Sequence, residues 1–371
     1  PASRAGNLSR RLTAVLVILH LGMAAFATGT EGVTRLGLFV GANDGGSERV
    51  RLRWAEQDAR TLAEVMQRYG GLARDNTWFL VDPDRQELSA GLERLAREVT
   101  RRRETGGRIE VMLYYSGHSD DQGLLIGEDH FGYADLRGAL EATEADVTLA
   151  ILDSCASGAF TRSKGGERVS PFLLDQSNST SGYAFLASAS EDEDAQESDA
   201  LGASFFTHYV VNGLRGAADV NGDSRVTLNE LYGFAFQQTL ARTESTQAGP
   251  QHPAYEFALS GTGDLVITQL APADSRLSIQ APTSGRIFIR DSQERLVAEL
   301  GYTLGTGLVL ALPSGEYRIT LQAGDATWAA EVRLGALSPE ALVAQDFEQQ
   351  RREWFRVRGD SNVDDPEPPR S

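Results

Sequence analysis

The sequence has very few of the side chains on which several classes of site depend. Its 371 residues include one cysteine, Cys155, and one lysine, Lys164. A single cysteine excludes an intrachain disulfide and any zinc site built on several thiolates. No Gly-Lys-Ser/Thr sequence surrounds Lys164, which excludes a P-loop nucleotide site, and none of the five histidines belongs to an H-E-x-x-H pattern.

Basic charge is also scarce. The chain has 35 Lys and Arg against 52 Asp and Glu, a formal net charge of −17, so we expect no nucleic-acid partner. An acidic surface favours solubility and attracts basic partners. The apolar fraction of 41% and the charged fraction of 23% are typical of a globular protein.

The N-terminal segment has the features of an export signal. Three arginines precede an apolar stretch over residues 12–29, and Ala25-Phe26-Ala27 offers a small-x-small cleavage site. We therefore predict a signal peptide over residues 1–29 and a periplasmic or extracellular protein. The alternative is an uncleaved inner-membrane anchor, for which the span is slightly short. Membrane contact is expected only through this segment.

Residues 30–270 alternate between apolar runs and amphipathic helical patterns. The runs end at Gly, Asn, Asp and Ser, which typically mark turns. Strands alternating with helices of this length predict a mostly parallel α/β sheet flanked by helices. The expected strands are residues 36–41, 77–81, 109–119, 147–152 and 183–190. The expected helices are residues 54–69, 86–103, 133–141, 204–213 and 228–240.

The pattern changes over residues 271–336. Short segments there alternate apolar and polar residues, with Gly, Pro, Asp and Ser between them, which predicts a small antiparallel β-sandwich. We interpret it as an accessory or binding domain because it carries no recognisable chemistry. Residues 337–371 are expected to form a polar tail that is helical over 339–352 and disordered from 359 onward.

Two of the apolar runs end on reactive side chains. IEVMLYYSGHS over residues 109–119 ends on Gly117 and His118, and VTLAILDSCASG over residues 147–158 passes through Cys155. The carboxyl ends of parallel strands meet at one edge of a sheet, where ligands bind. The sequence therefore predicts a thiol nucleophile beside an imidazole base.

These two motifs resemble the His and Cys motifs of the caspase–metacaspase superfamily, most closely those of the bacterial orthocaspases. The similarity covers about residues 35–270. It implies a cysteine endopeptidase with Cys155 as nucleophile, His118 as general base, and no cofactor required for the chemistry. The backbone N–H groups of Cys155 and Ser119 would hold the oxyanion, although the family usually has glycine at the position of Ser119.

Substrate preference is expected to depend on the residues two positions before each reactive side chain. Asp153 and Ser116 lie on the same side of their strands as Cys155 and His118. In metacaspases an acid at the Asp153 position lines the primary pocket, so the resemblance implies protein or peptide substrates cleaved after Arg or Lys. Arg is expected to be preferred if it binds as a bidentate fork. The alternative is that Asp153 caps a backbone N–H.

Two polar segments follow Cys155. Residues 161–182 form a long connection that offers Arg162, Lys164 and Arg168 as sites of self-cleavage, as relatives are often processed there. The acidic run over residues 191–199 is interpreted either as a solvated loop or as a loop that faces substrate or binds a cation.

A calcium-loop pattern lies between the last two predicted helices. Asp219, Asn221, Asp223, Thr227 and Glu230 occupy the spacing of the ligands in such loops. Ser224 stands where the usual glycine would be. The alternatives are a calcium site and a turn that only keeps its acidic character.

A second class of function stays open alongside the peptidase. The chain could be an inactive caspase-like scaffold, or an exported binding module whose function lies in the β-sandwich. The presence of both reactive residues favours the enzyme.

Overall fold

The computed structural model describes most of the chain after residue 31. The described residues are 32–155, 157–161, 180–190, 193–261, 263–270, 275–336 and 338–350. The predicted signal peptide or anchor, and the predicted cleavage sites Arg162, Lys164 and Arg168, lie outside them. Among the described residues, no helix is both long enough and apolar enough to cross a membrane.

The described residues before position 271 form strands β1 to β13 and helices α1 to α5. The strands are β1 (Val33–Gly41), β2 (Thr77–Val81), β3 (Arg108–Ser116), β4 (His118–Ser119), β5 (Gly123–Ile126), β6 (Asp129–Gly132), β7 (Val147–Asp153), β8 (Ser181–Ala187), β9 (Glu197–Ser198), β10 (Ala203–Ser204), β11 (Arg225–Thr227), β12 (Ala254–Ser260) and β13 (Val266–Gln269). The helices are α1 (Ala55–Tyr69), α2 (Arg85–Arg103), α3 (Tyr133–Glu141), α4 (Phe205–Asn212) and α5 (Leu228–Thr243). Short 3-10 turns cover Arg74–Asn76 and Ser157–Thr161, and a π turn covers Gly213–Ala217.

The central sheet has six strands in the order β2-β1-β3-β7-β8-β12. Neighbours from β2 to β8 pair in parallel, and β12 pairs antiparallel with β8 at the edge. All seven residues of β7 are buried, because a parallel strand is covered by helices on both faces. The predicted mostly parallel α/β sheet is confirmed.

Helices cover both faces of this sheet. On one face α1, α4 and α5 pack in a single apolar cluster that includes Phe39, Leu62, Val210 and Leu231. On the other face the cluster contains Leu88 of α2 and Leu136 of α3. The sheet is therefore the middle layer of three, and its carboxyl edge is left open to loops.

The C-terminal part forms two further sheets. Its strands are β14 (Arg276–Ile279), β15 (Gly285–Asp291), β16 (Leu296–Tyr302), β17 (Leu308–Ala311), β18 (Gly315–Ala323), β19 (Ala326–Leu334), β20 (Glu340–Leu342) and β21 (Glu348–Gln350), and a 3-10 turn covers Ala344–Asp346. The orders are β17-β14-β20 and β16-β15-β18-β19-β21. One apolar cluster with Ile279, Ile289 and Ile319 lies between them, as in the predicted β-sandwich.

The prediction of a helical tail is wrong for its described part. Residues 340–342 pair in parallel with β14, and residues 348–350 pair antiparallel with β19. Both sheets have edges whose backbone groups need partners, and burial of Leu342 and Phe347 anchors the added strands. The β14–β20 pair also makes the sandwich mixed and not purely antiparallel.

The sandwich and α4 share a core. Phe205 and Tyr209 of α4 belong to the same apolar cluster as the sandwich strands. His208, between them in the sequence, accepts a hydrogen bond at Nε2 from the backbone N–H of Glu299 on β16, at 3.0 Å. The Glu299 carboxylate binds Arg242 of α5 at 2.7 Å. These contacts fix the helix against β16.

Candidate active site

The register of β3 and β7 brings the chain segments that carry His118 and Cys155 side by side at the end of these strands. Ser116 pairs with Asp153, and the N–H of Gly117 donates to the Asp153 carbonyl at 3.2 Å. His118 and Cys155 each follow two residues beyond this pair. The structure thus brings both chain segments to the carboxyl edge of the sheet, where the sequence predicts them.

The His118 ring is half-buried and is held by the loop that follows β1. Its Nε2 lies 2.9 Å from the carbonyl oxygen of Val50. A carbonyl only accepts, so Nε2 carries the proton and Nδ1 carries the lone pair. The loop approaches closely at Gly45, where an added Cβ would lie 2.3 Å from His118 Cδ2. Any larger residue at position 45 would displace the ring.

The Cys155 thiol lies in an environment that disfavours its charge. Burial raises its pKa, and the negative charges of Asp194 and Asp153 raise it further, while the backbone N–H of Ala195 lowers it. Within the described residues the hydrogen bond of the His118 ring goes to Val50, not to Cys155. A thiol with a raised pKa is a poor nucleophile near neutral pH until a base removes its proton.

Asp153 is buried at the carboxyl edge of the sheet, two residues before Cys155, with 3% of its surface exposed. Its Oδ2 accepts hydrogen bonds from Thr207 Oγ1 at 2.5 Å and from Ser204 Oγ, two hydroxyls at the start of α4. Burial raises the pKa of Asp153 above its ordinary value. Ser116, the other residue predicted to contact substrate, is also buried, at 3% exposed.

A second carboxylate, which the sequence did not single out, lies beside Asp153. Asp58 on α1 is 1% exposed and accepts the backbone N–H of Ser204 at 3.0 Å. Burial raises its pKa well above the ordinary value, and the charge of Asp153 adds to that rise. Among the described residues no Arg, Lys or His forms an ion pair with either carboxylate. Two buried acids therefore share Ser204 without a cation.

The signal that could have revealed Asp58 is its position on α1. It stands on the buried face of the helix beside Ala55, Ala59 and Leu62. A carboxylate in an apolar stripe is rarely buried without a partner or a function. Ser204 and Thr207 had no comparable signal, because hydroxyls at a helix start are normal capping residues.

Part of the acidic run lies along this edge. Glu193 binds His252 Nδ1 at 2.6 Å, and Glu197 accepts the backbone N–H of Trp54 at 3.1 Å. Asp194, between them, is close enough to influence the Cys155 thiol. Asp194 and Asp199 are exposed, so the described part of the run combines bound acids with solvated ones.

Of the five residues of the predicted calcium loop, Asp219, Asn221 and Asp223 lie in a turn, Thr227 ends β11 and Glu230 lies in the first turn of α5. Asp219 accepts the N–H groups of Gly222 at 2.9 Å and Ser224 at 2.9 Å, and Ser224 adopts a positive φ of 65° where glycine is usual. Glu230 accepts from the Thr227 hydroxyl at 2.9 Å and caps α5. Among the described residues, no three His, Cys, Asp or Glu side chains converge as metal ligands.

Comparison with known proteins shows to which family the chain belongs. Residues 34–261, more than half of the chain, match the caspase domain. The chain therefore belongs to the caspase-domain family, whose members act on protein substrates, and the prediction of a caspase-like superfamily member is confirmed.

One solved structure to which the chain is similar is caspase-1 from Spodoptera frugiperda. The two share 14% sequence identity with a TM-score of 0.43, over 64% of this chain and 90% of that chain. No curated protein matches the chain.

Proposed function

We propose that the chain is a cysteine endopeptidase that cleaves protein substrates after Arg in preference to Lys. The observation that carries the proposal is the buried pair of Asp58 and Asp153, which lies beside Cys155 and has no cation of its own among the described residues. An uncompensated buried acid is unfavourable, and a basic substrate side chain would supply the missing charge.

The chemistry follows from the two reactive residues. His118 Nδ1 takes the proton of the Cys155 thiol, and the thiolate sulfur attacks the scissile carbonyl carbon. The backbone N–H groups of Ser119 and Cys155 stabilise the resulting oxyanion. The imidazolium then protonates the leaving amine, and water hydrolyses the thioester. Because burial raises the thiol pKa, the base is essential in this scheme.

The preference for Arg follows from the number of acceptors in the pocket. The hydrogen-bond partners of the Asp153 carboxyl are neutral hydroxyls, those of Ser204 and Thr207 at the start of α4 and that of Ser188, so its charge is left for a substrate cation. The planar guanidinium carries five donors and can bind two carboxylates at once, whereas the Lys ammonium is a compact point charge. An aspartate side chain at this place would face two negative charges.

Fluorogenic peptides ending in Arg, Lys or Asp test the specificity. We expect cleavage in that order, and a drop in kcat/KM of about a hundredfold or more for the Arg peptide in Asp153→Asn. Asp146→Asn, at the opposite edge of the same sheet where Asp146 accepts the N–H of Ile109, is the matched control. Preferential cleavage after Asp, or an Arg preference unchanged in Asp153→Asn, would refute the assignment.

The inactive alternative is tested separately. Cys155→Ala and His118→Ala should each abolish peptidolysis with little change in stability, since both residues lie beyond the buried strands. A thiol-reactive peptide ending in Arg should label Cys155 in the wild type. An unlabelled Cys155 together with no cleavage would favour a scaffold or binding module.

Self-processing is part of the proposal. The segment after Cys155 contains Arg162, Lys164 and Arg168, which have the basic side chains that the pocket would select. Mass spectrometry of the active protein should find new chain ends after one of them, absent from Cys155→Ala. An active enzyme that remains a single uncut chain would refute processing but not catalysis.

A further inference from the structure

Buried serine hydroxyls surround the backbone of the nucleophile, and they differ in what they bind. Ser119, Ser154 and Ser157 are 8%, 1% and 0% exposed. Ser119 Oγ donates a hydrogen bond to the backbone carbonyl oxygen of Cys155. The hydroxyl of Ser154 lies near the Tyr133 hydroxyl, and that of Ser157 has no hydrogen-bond partner among the described residues. Of these three, Ser119 alone reaches across from the His118 strand to the nucleophile.

The backbone carbonyl of His118 is also bound by a side-chain hydroxyl. The Tyr115 hydroxyl donates to the His118 carbonyl oxygen at 2.7 Å and approaches that of Leu125 at 3.2 Å. The carbonyl of each reactive residue is therefore bound by a hydroxyl from the β3–β4 segment. A side chain of this kind is required at position 119 for the contact, since a glycine there offers no hydroxyl.

We propose that the Ser119 side chain is a positioning residue for the reaction, in addition to the backbone role assigned above. Fixing the Cys155 carbonyl restricts rotation about the Cα–C bond of the residue that supplies both the sulfur and one oxyanion donor. Ser119 Oγ touches no reacting atom, so its effect is exerted through the Cys155 backbone. Pre-organised donors and nucleophiles raise the rate of the chemical step more than they raise substrate affinity.

The proposal rests on the proposed peptidase function, and the test separates the two. Ser119→Ala removes the hydroxyl, and Ser157→Ala is the matched control because it removes a buried hydroxyl near Cys155 that binds nothing described. With an Arg peptide, we expect kcat to fall about tenfold in Ser119→Ala, the size of one lost hydrogen bond, with KM within about twofold of wild type. The control should keep both values.

Further variants and readouts separate positioning from a general loss of structure. Ser119→Gly, if Ser119→Ala fails to fold, should show the same loss of kcat, and Ser119→Thr, which keeps a hydroxyl, should restore most of it. The rate at which iodoacetamide alkylates Cys155 should stay within about twofold of wild type in every variant that folds, because the hydroxyl does not bind the sulfur. A kcat equal to that of Ser157→Ala would overturn the role of Ser119 and leave the peptidase intact. A wild type that cleaves no peptide would overturn both.

Discussion

Buried acids in this protein are of two kinds. Glu110 and Glu299, 9% and 3% exposed, are each bound by two arginines. Arg35 and Arg108 lie 2.8 Å and 2.7 Å from Glu110. Arg242 and Arg286 bind Glu299. Each of these two buried carboxylates is therefore neutralised by cations of the chain itself.

Asp58 and Asp153 belong to the other kind. They are buried at least as deeply, yet their partners are hydroxyls and a backbone N–H from Ser204 and Thr207. Polar neutral donors satisfy the oxygens without cancelling the charge. Among the described residues, the buried acids without a cation are therefore the two that lie together near Cys155, where we propose that a basic substrate side chain binds.

The largest expected effect is on the free energy of unfolding. It compares a buried acid that has arginine partners with one that has none. Glu299→Gln should lower the free energy of unfolding by about 3 kcal/mol, because it leaves two arginines facing an uncharged partner. Asp153→Asn removes a charge that has no cation and should change it by about 1 kcal/mol or less. Urea unfolding of both variants at pH 7 measures the difference. Equal losses would mean that the two kinds of acid are energetically alike.

The second prediction concerns pH, to which the two regions should respond in opposite directions. Burial lowers the pKa of His208 from 6.5 to about 4. A lowered His pKa contributes stability that is present above pH 6.5 and lost as the pH falls toward 4. The wild type should therefore lose up to about 3 kcal/mol across this range relative to His208→Gln.

For the Asp58–Asp153 pair, the dependence of stability on pH has the opposite sign. Raised carboxyl pKa values contribute stability that is present below about pH 4 and lost as the pH rises through the folded-state pKa. Asp153→Asn should gain stability relative to wild type as the pH rises from 4 to 7. Denaturant melts at intervals of pH check both slopes. Two slopes of the same sign would contradict the assignment.

The smallest expected effect is that of calcium, which we propose as a ligand of the loop with Asp219, Asn221, Asp223, Thr227 and Glu230. Binding would draw Glu230 away from Thr227 toward the other carboxylates. At a calcium concentration 100 times the Kd, the stabilisation is about 2.7 kcal/mol, a rise in Tm of a few degrees. Glu230→Gln should remove this rise, whereas Glu244→Gln at the other end of α5 should keep it. An unchanged Tm in millimolar calcium would favour the simple turn.

Local patterns were sufficient to predict the parts of the site that are local in the chain. The strand before Cys155 and the strand before His118 are each one apolar run followed by small residues, so their ends follow from periodicity and their adjacency from parallel pairing. The buried surroundings of Asp153 could be predicted only in part. Asp58 and Thr207 are brought to Asp153 by the packing of α1 and α4 on the sheet. The spacing of these residues in the sequence does not predict that they lie together.

The prediction of a helical tail was wrong for a different physical reason. Residues 339–352 are polar and have helix-compatible spacing, so local propensity favours a helix. In the fold, two sheets end in unpaired backbone groups that the same residues can satisfy as β20 and β21. Tertiary hydrogen bonding overrode a weak local preference, and a single-sequence pattern contains no information on where unpaired edges will be.

The contacts of helix α4 determine which fragments of the protein keep this helix in place. Its first turn supplies Ser204 and Thr207 to Asp153, and the next residue, His208, binds the backbone of Glu299 on β16. A protein trimmed after residue 270 would expose Phe205 and Tyr209 to water and would free the helix whose start binds Asp153. An assay of the proposed specificity therefore needs a protein that includes the sandwich, and fragments ending before β16 are unsuitable for it.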